Sequence, residues 1–288
     1  MSKKLILLAV VLGLLVSGKS PAQDLPETQI WMLDLEEGIP MNARQISGGR
    51  GYRNQPWFSP DGKALYFTSE QDDGQTDIVR HDLASGEQVL IQPAPESEYS
   101  PLPIPGQNAL SVVRVELPDG QQRLWKLPLN GGNPEVLLPD IEPVGYHAWL
   151  DADTVALFIL GETFDLHIAK LSTGKSRRVA VNIGRTLRRH PDTGHLLFVD
   201  KNVEPWTITG WNPVSGGLTT VMALFPGVED FEVDDDGRFW MGFGSKLYRS
   251  KSDHPGWRLE ADLREWGIAE ITRLAVCKSE PRMILVGL

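Results

Sequence analysis

The chain has 288 residues, and its 38 acidic residues against 28 Lys and Arg give a formal net charge of −10. Proteins bind nucleic acids mainly through Lys and Arg that neutralise phosphates, so this composition excludes a general nucleic-acid-binding surface. The single cysteine, Cys277, excludes an internal disulfide, and we expect it to pack as a small hydrophobic residue in its apolar stretch.

The predicted elements begin with a secretory signal peptide over residues 1–22. Lys3 and Lys4 precede an apolar run over residues 5–16, and a small residue stands at Ala22. A membrane-spanning helix needs about 20 apolar residues, so this shorter run favours cleavage after export over the alternative, an uncleaved anchor. We expect a periplasmic or secreted protein that contacts a membrane only through this segment during export.

The stretch from Gln55 to Gln92 predicts four short strands joined by tight turns. Its first turn is Ser-Pro-Asp-Gly, in which Pro60 presets φ and the Asp-Gly pair accepts the positive φ of a hairpin. An aromatic second strand, an alternating third strand and a short fourth strand follow, each bounded by Gly or Ser. This pattern predicts an antiparallel four-stranded meander.

The same pattern recurs along the chain at steps of 41 to 46 residues. The positions equivalent to Gly62 are Gln107, Asp153, Gly194, Gly237 and Pro281. Each precedes an apolar strand, and a third-strand-plus-turn element recurs after most of them. Repeats of about 40 to 50 residues with four strands each are typical of propeller blades. A short segment around residues 261–266 is the one predicted helical fragment.

The last repeat has room for only two strands before the sequence stops at Leu288. The stretch Gln29–Gly38 matches the third-strand-plus-turn element, and Ala43–Ile46 follows as a fourth strand. These N-terminal strands therefore complete the last blade, which closes the ring and leaves no blade unfinished. We predict an all-β fold: one domain over residues 24–288, a six-bladed β-propeller of four-stranded antiparallel blades.

One repeat also resembles the WD40-like repeat of the TolB β-propeller family. The matching positions are Ser59, Pro60, Asp61, Gly62, Tyr66, Phe67, Asp77, Ile78 and Asp82. The resemblance implies a six-bladed propeller that works in the periplasm as a binding scaffold. TolB itself carries an N-terminal α/β domain, whereas strands begin near Thr28 in this chain, so we expect a lone propeller. The same repeat occurs in oligogalacturonate lyases and in the non-catalytic propellers of prolyl oligopeptidases.

Motifs that carry chemistry are scarce in this sequence. No Gly-x-Ser-x-Gly nucleophile elbow occurs. His190 and His195 straddle a turn, a spacing that suits neither a helical nor a strand-face metal pair. A calcium-loop alignment of the acidic stretch 230–237 places Phe243 where a bidentate acid is required, so a hairpin turn is the better interpretation. We predict no catalytic residue, no metal and no cofactor.

The predicted binding surface is the mouth of the central channel, where each blade's last strand connects to the first strand of the next blade. Loops on a rigid scaffold commonly carry binding residues, and Tyr and Arg are enriched in binding hot spots. The candidate residues in these segments are Arg53, Asn54, Glu98, Tyr99, Tyr146, His147, Arg185, Glu229, Asp230, Glu270 and Arg273. The alternative is that these side chains are ordinary solvated loop residues.

The leading hypothesis is an exported, non-enzymatic propeller that docks a peptide or protein segment of the cell envelope at this mouth. The alternative is a periplasmic carbohydrate-active enzyme, a polysaccharide lyase or hydrolase, that uses acids and His147 at the same mouth. Stoichiometric metal that depends on His147 is the observation that favours the enzyme.

Overall fold

A computed structural model describes residues 25–251 and 254–288 of the chain. Its strands form six four-stranded antiparallel sheets arranged as the blades of a propeller, which confirms the predicted fold class. In the described part of the chain, a single turn of 3₁₀ helix at Leu263–Trp266 is the one helical segment, close to the predicted position. The predicted signal peptide at residues 1–22 lies outside the described residues.

The strands are numbered in chain order. Two strands precede the first complete blade: β1 (Gln29–Glu36) and β2 (Ile39–Gln45). Blade 1 comprises β3 (Arg53–Phe58), β4 (Ala64–Glu70), β5 (Thr76–Asp82) and β6 (Gln88–Leu90). Blade 2 comprises β7 (Ser97–Pro103), β8 (Ala109–Val115), β9 (Gln122–Pro128) and β10 (Glu135–Val136). Blade 3 comprises β11 (Val144–Trp149), β12 (Thr154–Ile159), β13 (Asp165–Lys170) and β14 (Lys175–Ala180).

The remaining blades follow the same order. Blade 4 comprises β15 (Ile183–Arg189), β16 (Leu196–Asp200), β17 (Thr207–Trp211) and β18 (Leu218–Ala223). Blade 5 comprises β19 (Glu232–Val233), β20 (Arg238–Phe243), β21 (Lys246–Lys251) and β22 (His254–Asp262). Blade 6 begins with β23 (Ile271–Val276) and β24 (Arg282–Gly287).

The N-terminal strands complete blade 6, as the sequence predicts. The strand order of this sheet is β2-β1-β24-β23. Antiparallel pairing joins Ile30 to Val286 and Leu33 to Met283. Strands from the two ends of the described chain therefore share one sheet, which closes the ring.

The core is divided among the interfaces between neighbouring blades. Each of six clusters of buried apolar side chains combines residues from two adjacent blades. Between blades 6 and 1, for example, Ile30 and Ile284 pack with Phe67 and with the free, buried thiol of Cys277. The ring is thus held by apolar contacts between sheets, and Cys277 packs as the sequence analysis expects.

The Ser-Pro-Asp-Gly turn shows why this sequence forms a blade hairpin. The Ser59 hydroxyl donates to Asp61 at 2.6 Å and accepts from the Ala64 amide at 2.9 Å, and Gly62 has φ of 67°. In blade 5, the Asp234 carboxylate plays the corresponding part by accepting from the amides of Asp236 and Arg238. The acidic stretch 230–237 therefore ends in a hairpin turn rather than a calcium loop.

Irregular backbone occurs in the first strands of the blades, which face the central channel, as well as in several outer strand pairs. A shift of register interrupts the pairing of five of these strands with their neighbours: β3, β7, β11, β15 and β23. At two of these shifts, Gln55 and Ser100 both have φ of 56°, although neither is glycine. Such bulges re-aim side chains and are common beside functional sites. Within the described residues, no helix has the length and apolar character required to cross a bilayer.

Candidate binding site at the channel mouth

Side chains from several blades converge on a cavity at the mouth of the central channel. The space between these side chains is about 450 Å³ when open solvent is included, but the centres of water-sized groups can occupy only about 50 Å³ of it. The cavity therefore accepts a small chemical group rather than a whole ligand. Its walls include Gln55, Ser100, Tyr146, Arg185 and Arg273, which come from five different first strands. Three of these residues, Tyr146, Arg185 and Arg273, are among the residues that the sequence analysis selects.

Arg273 of blade 6 crosses the mouth to reach blade 3. Its Nη2 donates to the Tyr146 hydroxyl at 2.9 Å, and its guanidinium lies 4.9 Å from the centroid of the same ring. Its Nη1 lies 3.7 Å from the carboxylate of Asp230. Burial alone raises the pKa of the Tyr146 phenol, but the charges of Arg273 and Arg185 outweigh burial and lower that pKa. The local electrostatic potential is therefore positive.

Arg185 of blade 4 lies beside a second group of charges. Its Nη2 donates to the Thr272 carbonyl at 3.1 Å, and its Nε is 4.0 Å from the Glu229 carboxylate. Glu229 also accepts a hydrogen bond from Lys201. Burial, together with the charge of Arg185, lowers the pKa of Lys201 to about 8. Glu229 is therefore shared between two cations.

A polar contact between blades 1 and 2 shapes the opposite wall of the mouth. The Gln55 carboxamide oxygen accepts from the Thr68 hydroxyl and from the Ser100 amide, each at 2.8 Å. Both Gln55 and Ser100 stand at bulges with left-handed backbone. This contact connects two blades at the point where their first strands enter the channel, so it fixes the shape of the wall.

Further along the same first strands, the channel is narrowed by a second cross-channel contact. The Arg188 guanidinium of blade 4 lies 5.2 Å from the centroid of the Trp57 ring of blade 1. Arg188 also donates to Glu232 at 2.8 Å and to the Leu274 carbonyl at 3.2 Å. These contacts join four blades, so they form a floor beneath the mouth.

His147, the candidate base of the enzyme hypothesis, is directed into hydrogen bonds of the scaffold. Its Nε2 lies 2.6 Å from the Ser111 hydroxyl, which also accepts from the Trp149 indole at 2.9 Å. Burial lowers the pKa of His147 to about 3, so the ring is neutral at physiological pH. His147 borders the cavity, but its Nε2 is held by the fully buried Ser111 and the residue is only 5% exposed.

His147 also lines the cavity, and Glu229 and Asp230 lie beside its arginines, but the remaining sequence-selected residues do not line it. Arg53 donates to backbone carbonyls of its own blade, and Asn54 is buried with its carboxamide oxygen on the Gln55 amide. Tyr99 packs against the apolar cluster between blades 2 and 3, and Glu270 is exposed. Arg53, Asn54 and Tyr99 stand before the register shifts of their strands, and Glu270 precedes β23.

Glu98 is the sequence-selected residue with the most unusual environment. Its carboxylate is fully buried and accepts from Nε of Arg114 at 3.0 Å and from Nη2 at 2.5 Å. The Arg114 guanidinium in turn lies 4.5 Å from the centroid of the Trp125 ring. Burial raises the pKa of Glu98 to about 7, although Arg114 opposes the shift. Glu98 is therefore a buried ion-pair partner within blade 2 rather than part of the cavity.

This shifted pKa predicts a specific pH dependence of stability for Glu98→Gln. The folded-state pKa of Glu98 lies above its ordinary value of 4.5. The carboxyl group of Glu98 therefore contributes its full stabilisation of the fold below pH 4.5, and this stabilisation is lost as the pH rises through 7. Between pH 4.5 and pH 7.5, we expect the free energy of unfolding of the variant to rise by about 3 kcal/mol relative to that of the wild type, at about 1.4 kcal/mol per pKa unit. Urea unfolding at several pH values measures this difference. Parallel profiles for the two proteins would contradict it.

Sequence reasoning did not select several residues of the mouth. Tyr52, Gln55, Ser100, Thr186 and Lys201 all take part in its electrostatics or hydrogen bonds. Gln55 and Ser100 were accessible to sequence reasoning, since they occupy equivalent positions 45 residues apart in successive repeats. Lys201 was not accessible, because it lies beyond β16 and reaches the mouth only through the fold.

The fold and the site permit comparison with known proteins. No family model matches the sequence, and no curated protein matches it. A protein assigned as TolB from Agrobacterium tumefaciens has a similar structure, with a TM-score of 0.71 at 14% identity over 91% of this chain and 98% of that one. A chain of the nidogen/laminin complex gives a TM-score of 0.63 at 12% identity, with coverage of 91% and 98%. An oligogalacturonate lyase in complex with manganese gives 0.56 at 16% identity, with coverage of 85% and 80%.

At these identities the similarities establish the fold, which is a TolB-like six-bladed propeller. The manganese in the lyase complex raises the question of whether this chain has matching ligands. Among the described residues, no group of three or more His, Cys, Asp and Glu side chains is placed to hold a metal ion. Nε2 of His147 and Oε1 of Glu98 are engaged by Ser111 and Arg114, and the other ligand atom of each side chain is buried. The residues at the mouth therefore do not fit a manganese site of that kind.

Proposed function

We propose that this chain is an exported, non-enzymatic binding propeller that docks a peptide or protein segment at its channel mouth. One observation carries the proposal: Tyr146, Arg185 and Arg273, from three different blades, meet in a single open cavity. Tyr and Arg dominate binding hot spots because they combine a large contact area with directed hydrogen bonds. The proposed partner is a protein of the cell envelope.

Export and location rest on the sequence. The predicted signal peptide and the resemblance to the TolB repeat both favour the periplasm, and the TolB-like fold is consistent with that location. The structure of a nidogen/laminin complex illustrates that a propeller of similar fold takes part in a protein–protein complex. These observations support a binding role in the envelope.

The lyase alternative has less support. Its candidate base, His147, is buried, neutral and bonded to Ser111, and the mouth contains arginines rather than a set of metal ligands. The two carboxylates at the mouth, Glu229 and Asp230, are each engaged by neighbouring groups. General acid–base chemistry requires a group that is free to exchange a proton with the substrate.

Capture of partners from envelope extract tests the proposed function. The double variant Tyr146→Phe/Arg185→Gln removes one hydroxyl and one charge from the mouth without removing apolar packing. We expect the wild type to retain a specific protein, and we expect purified partner to bind the double variant about tenfold more weakly or worse. Calorimetric titration of the purified partner measures the change.

The matched control is Arg178→Gln, which removes one positive charge from the outer strand β14, where the Arg178 side chain is 62% exposed. This variant should bind the partner as the wild type does. Equal binding by all three proteins would place the docking surface elsewhere on the propeller. Binding lost equally in the control and the double variant would indicate only a general charge effect.

A further inference from the structure

The charged side chains at the mouth are not balanced. The cations are Arg185, Arg273 and Lys201, and the carboxylates are Glu229 and Asp230. Three positive charges against two negative ones leave an excess of +1, although the whole chain carries −10. The deeper pair of Arg188 and Glu232 is neutral overall and does not change this excess. The mouth is therefore a positive site on a negative protein.

Asp230 does not accept a hydrogen bond from the arginines at the mouth. Its Oδ1 accepts from the Leu274 amide at 3.0 Å, and its Oδ2 accepts from the Thr186 hydroxyl at 2.9 Å. The nearest nitrogen of Arg273 is 3.7 Å away, beyond hydrogen-bond distance. Asp230 is therefore primarily a connector between blades 4, 5 and 6, and it attracts Arg273 without binding it closely.

Donor groups remain unused on both arginines. Among the described residues, the Nε groups of Arg185 and Arg273 are buried and have no hydrogen-bond partner. Arg273 as a whole is only 9% exposed. Buried donors of a charged group are costly to leave unpaired, so these two Nε groups, on side chains that line the cavity, call for an acceptor. A guanidinium matches the planar geometry of a carboxylate and binds it through paired N–H groups.

The two guanidinium groups also repel each other. The charge of Arg273 adds to burial in lowering the pKa of Arg185, which shows that the two guanidinium groups repel each other. An anion between them relieves this repulsion and can accept from N–H groups of both guanidinium groups. The Trp57–Arg188 contact lines the deeper part of the same cavity.

We propose that Arg185 and Arg273 form a subsite for a carboxylate group of the docked peptide. This inference rests on the proposed function and extends it by naming the chemistry recognised. The carboxylate belongs either to the C-terminus of the peptide or to an Asp or Glu side chain.

The subsite is tested first without any peptide. Titration of the ¹⁵N-labelled wild-type protein with sodium acetate, at constant ionic strength held with sodium chloride, follows the Nε–H signals of the arginines. Single variants Arg185→Gln and Arg273→Gln assign the two signals, and the control Arg178→Gln assigns a signal that should not move. We expect acetate, but not chloride, to shift the signals of Arg185 and Arg273 saturably. No shift, or an equal shift with chloride, would overturn the subsite.

The source of the carboxylate is tested with synthetic peptide arrays. Each random heptapeptide is made with a free C-terminus and as its C-terminal amide, and a second set replaces internal Asp and Glu by Asn and Gln. We expect bound peptides to lose about tenfold or more of their affinity when the relevant carboxylate is neutralised. Arg185→Gln and Arg273→Gln should remove this discrimination, whereas Arg178→Gln should leave it intact.

The outcomes separate the two proposals. Peptides that bind the mouth equally with and without carboxylates would overturn the subsite and leave the proposed function standing. Acetate shifts without binding of any peptide, combined with binding of an acidic oligosaccharide such as oligogalacturonate, would confirm carboxylate recognition and overturn the peptide as its source. If Arg178→Gln also failed to distinguish peptides with a carboxylate from peptides without one, net charge rather than the two arginines would govern binding.

Discussion

Leu33→Ala is expected to lower the free energy of unfolding by about 2–5 kcal/mol, the range for removing a large aliphatic side chain from a core. Leu33 is fully buried in β1 and pairs with Met283 of β24, the contact that closes the ring. It also packs in the cluster that joins blade 6 to blade 5. Urea unfolding followed by tryptophan fluorescence measures the loss, and the transition should remain a single cooperative step.

The matched control for ring closure is Ile39→Ala on the neighbouring strand β2. Ile39 is 53% exposed and lies on the outermost strand of the same blade, one strand further from the central channel than Leu33. Its truncation should change the free energy of unfolding by less than about 0.5 kcal/mol. If Leu33→Ala were as mild as this control, the N-terminal strands would contribute little to the ring, and blade 6 would not be closed by them in solution.

The fold was accessible to sequence reasoning because the same local pattern occurs six times. A turn such as Ser59–Gly62 has a mechanism that can be read from residue types, and repetition of that turn sets the number of blades. The unfinished last repeat and the unmatched strand at Gln29–Gly38 then predicted the closure that the structure shows. Pattern and topology constrain each other here, so a single sequence was sufficient.

The site was only partly accessible for a physical reason. Alternation with period 2 predicts which face a strand residue occupies, but a bulge reverses that alternation from its position onward. Five first strands carry such a shift near the mouth. Consequently, the sequence could not predict that Glu98 turns into blade 2 while Ser100, two residues later, lines the cavity.

Contacts across the channel were equally beyond sequence reasoning. The partners of Arg273 are Tyr146, 127 positions away, and Asp230 on blade 5. Such pairs depend on the angle between blades and on the exact reach of each side chain. The same is true of Arg188 and Trp57, which form the floor of the mouth. Pairings of this kind follow from the closed ring, not from local propensity.

The second large effect is expected at the buried ion pair of blade 2. Arg114→Met leaves the Glu98 carboxylate buried without its partner, since Arg114 donates both of the hydrogen bonds that this carboxylate accepts from the described residues. We expect a loss of about 3–5 kcal/mol in the free energy of unfolding, the cost of leaving one buried charge unpaired. The loss should be largest above pH 7, where the carboxyl is ionised, and smaller at pH 5, where the raised pKa of Glu98 allows protonation.

The double variant Arg114→Met/Glu98→Met separates charge from packing. If the unpaired carboxylate causes the loss, replacing both partners by methionine restores most of the stability, because no buried charge remains. If the lost contact between Arg114 and the Trp125 ring causes it, the double variant stays as unstable as Arg114→Met at every pH. Urea unfolding of the three proteins at pH 5 and pH 8 distinguishes these results. A stable, pH-independent Arg114→Met would instead show that Glu98 reaches solvent in the folded protein.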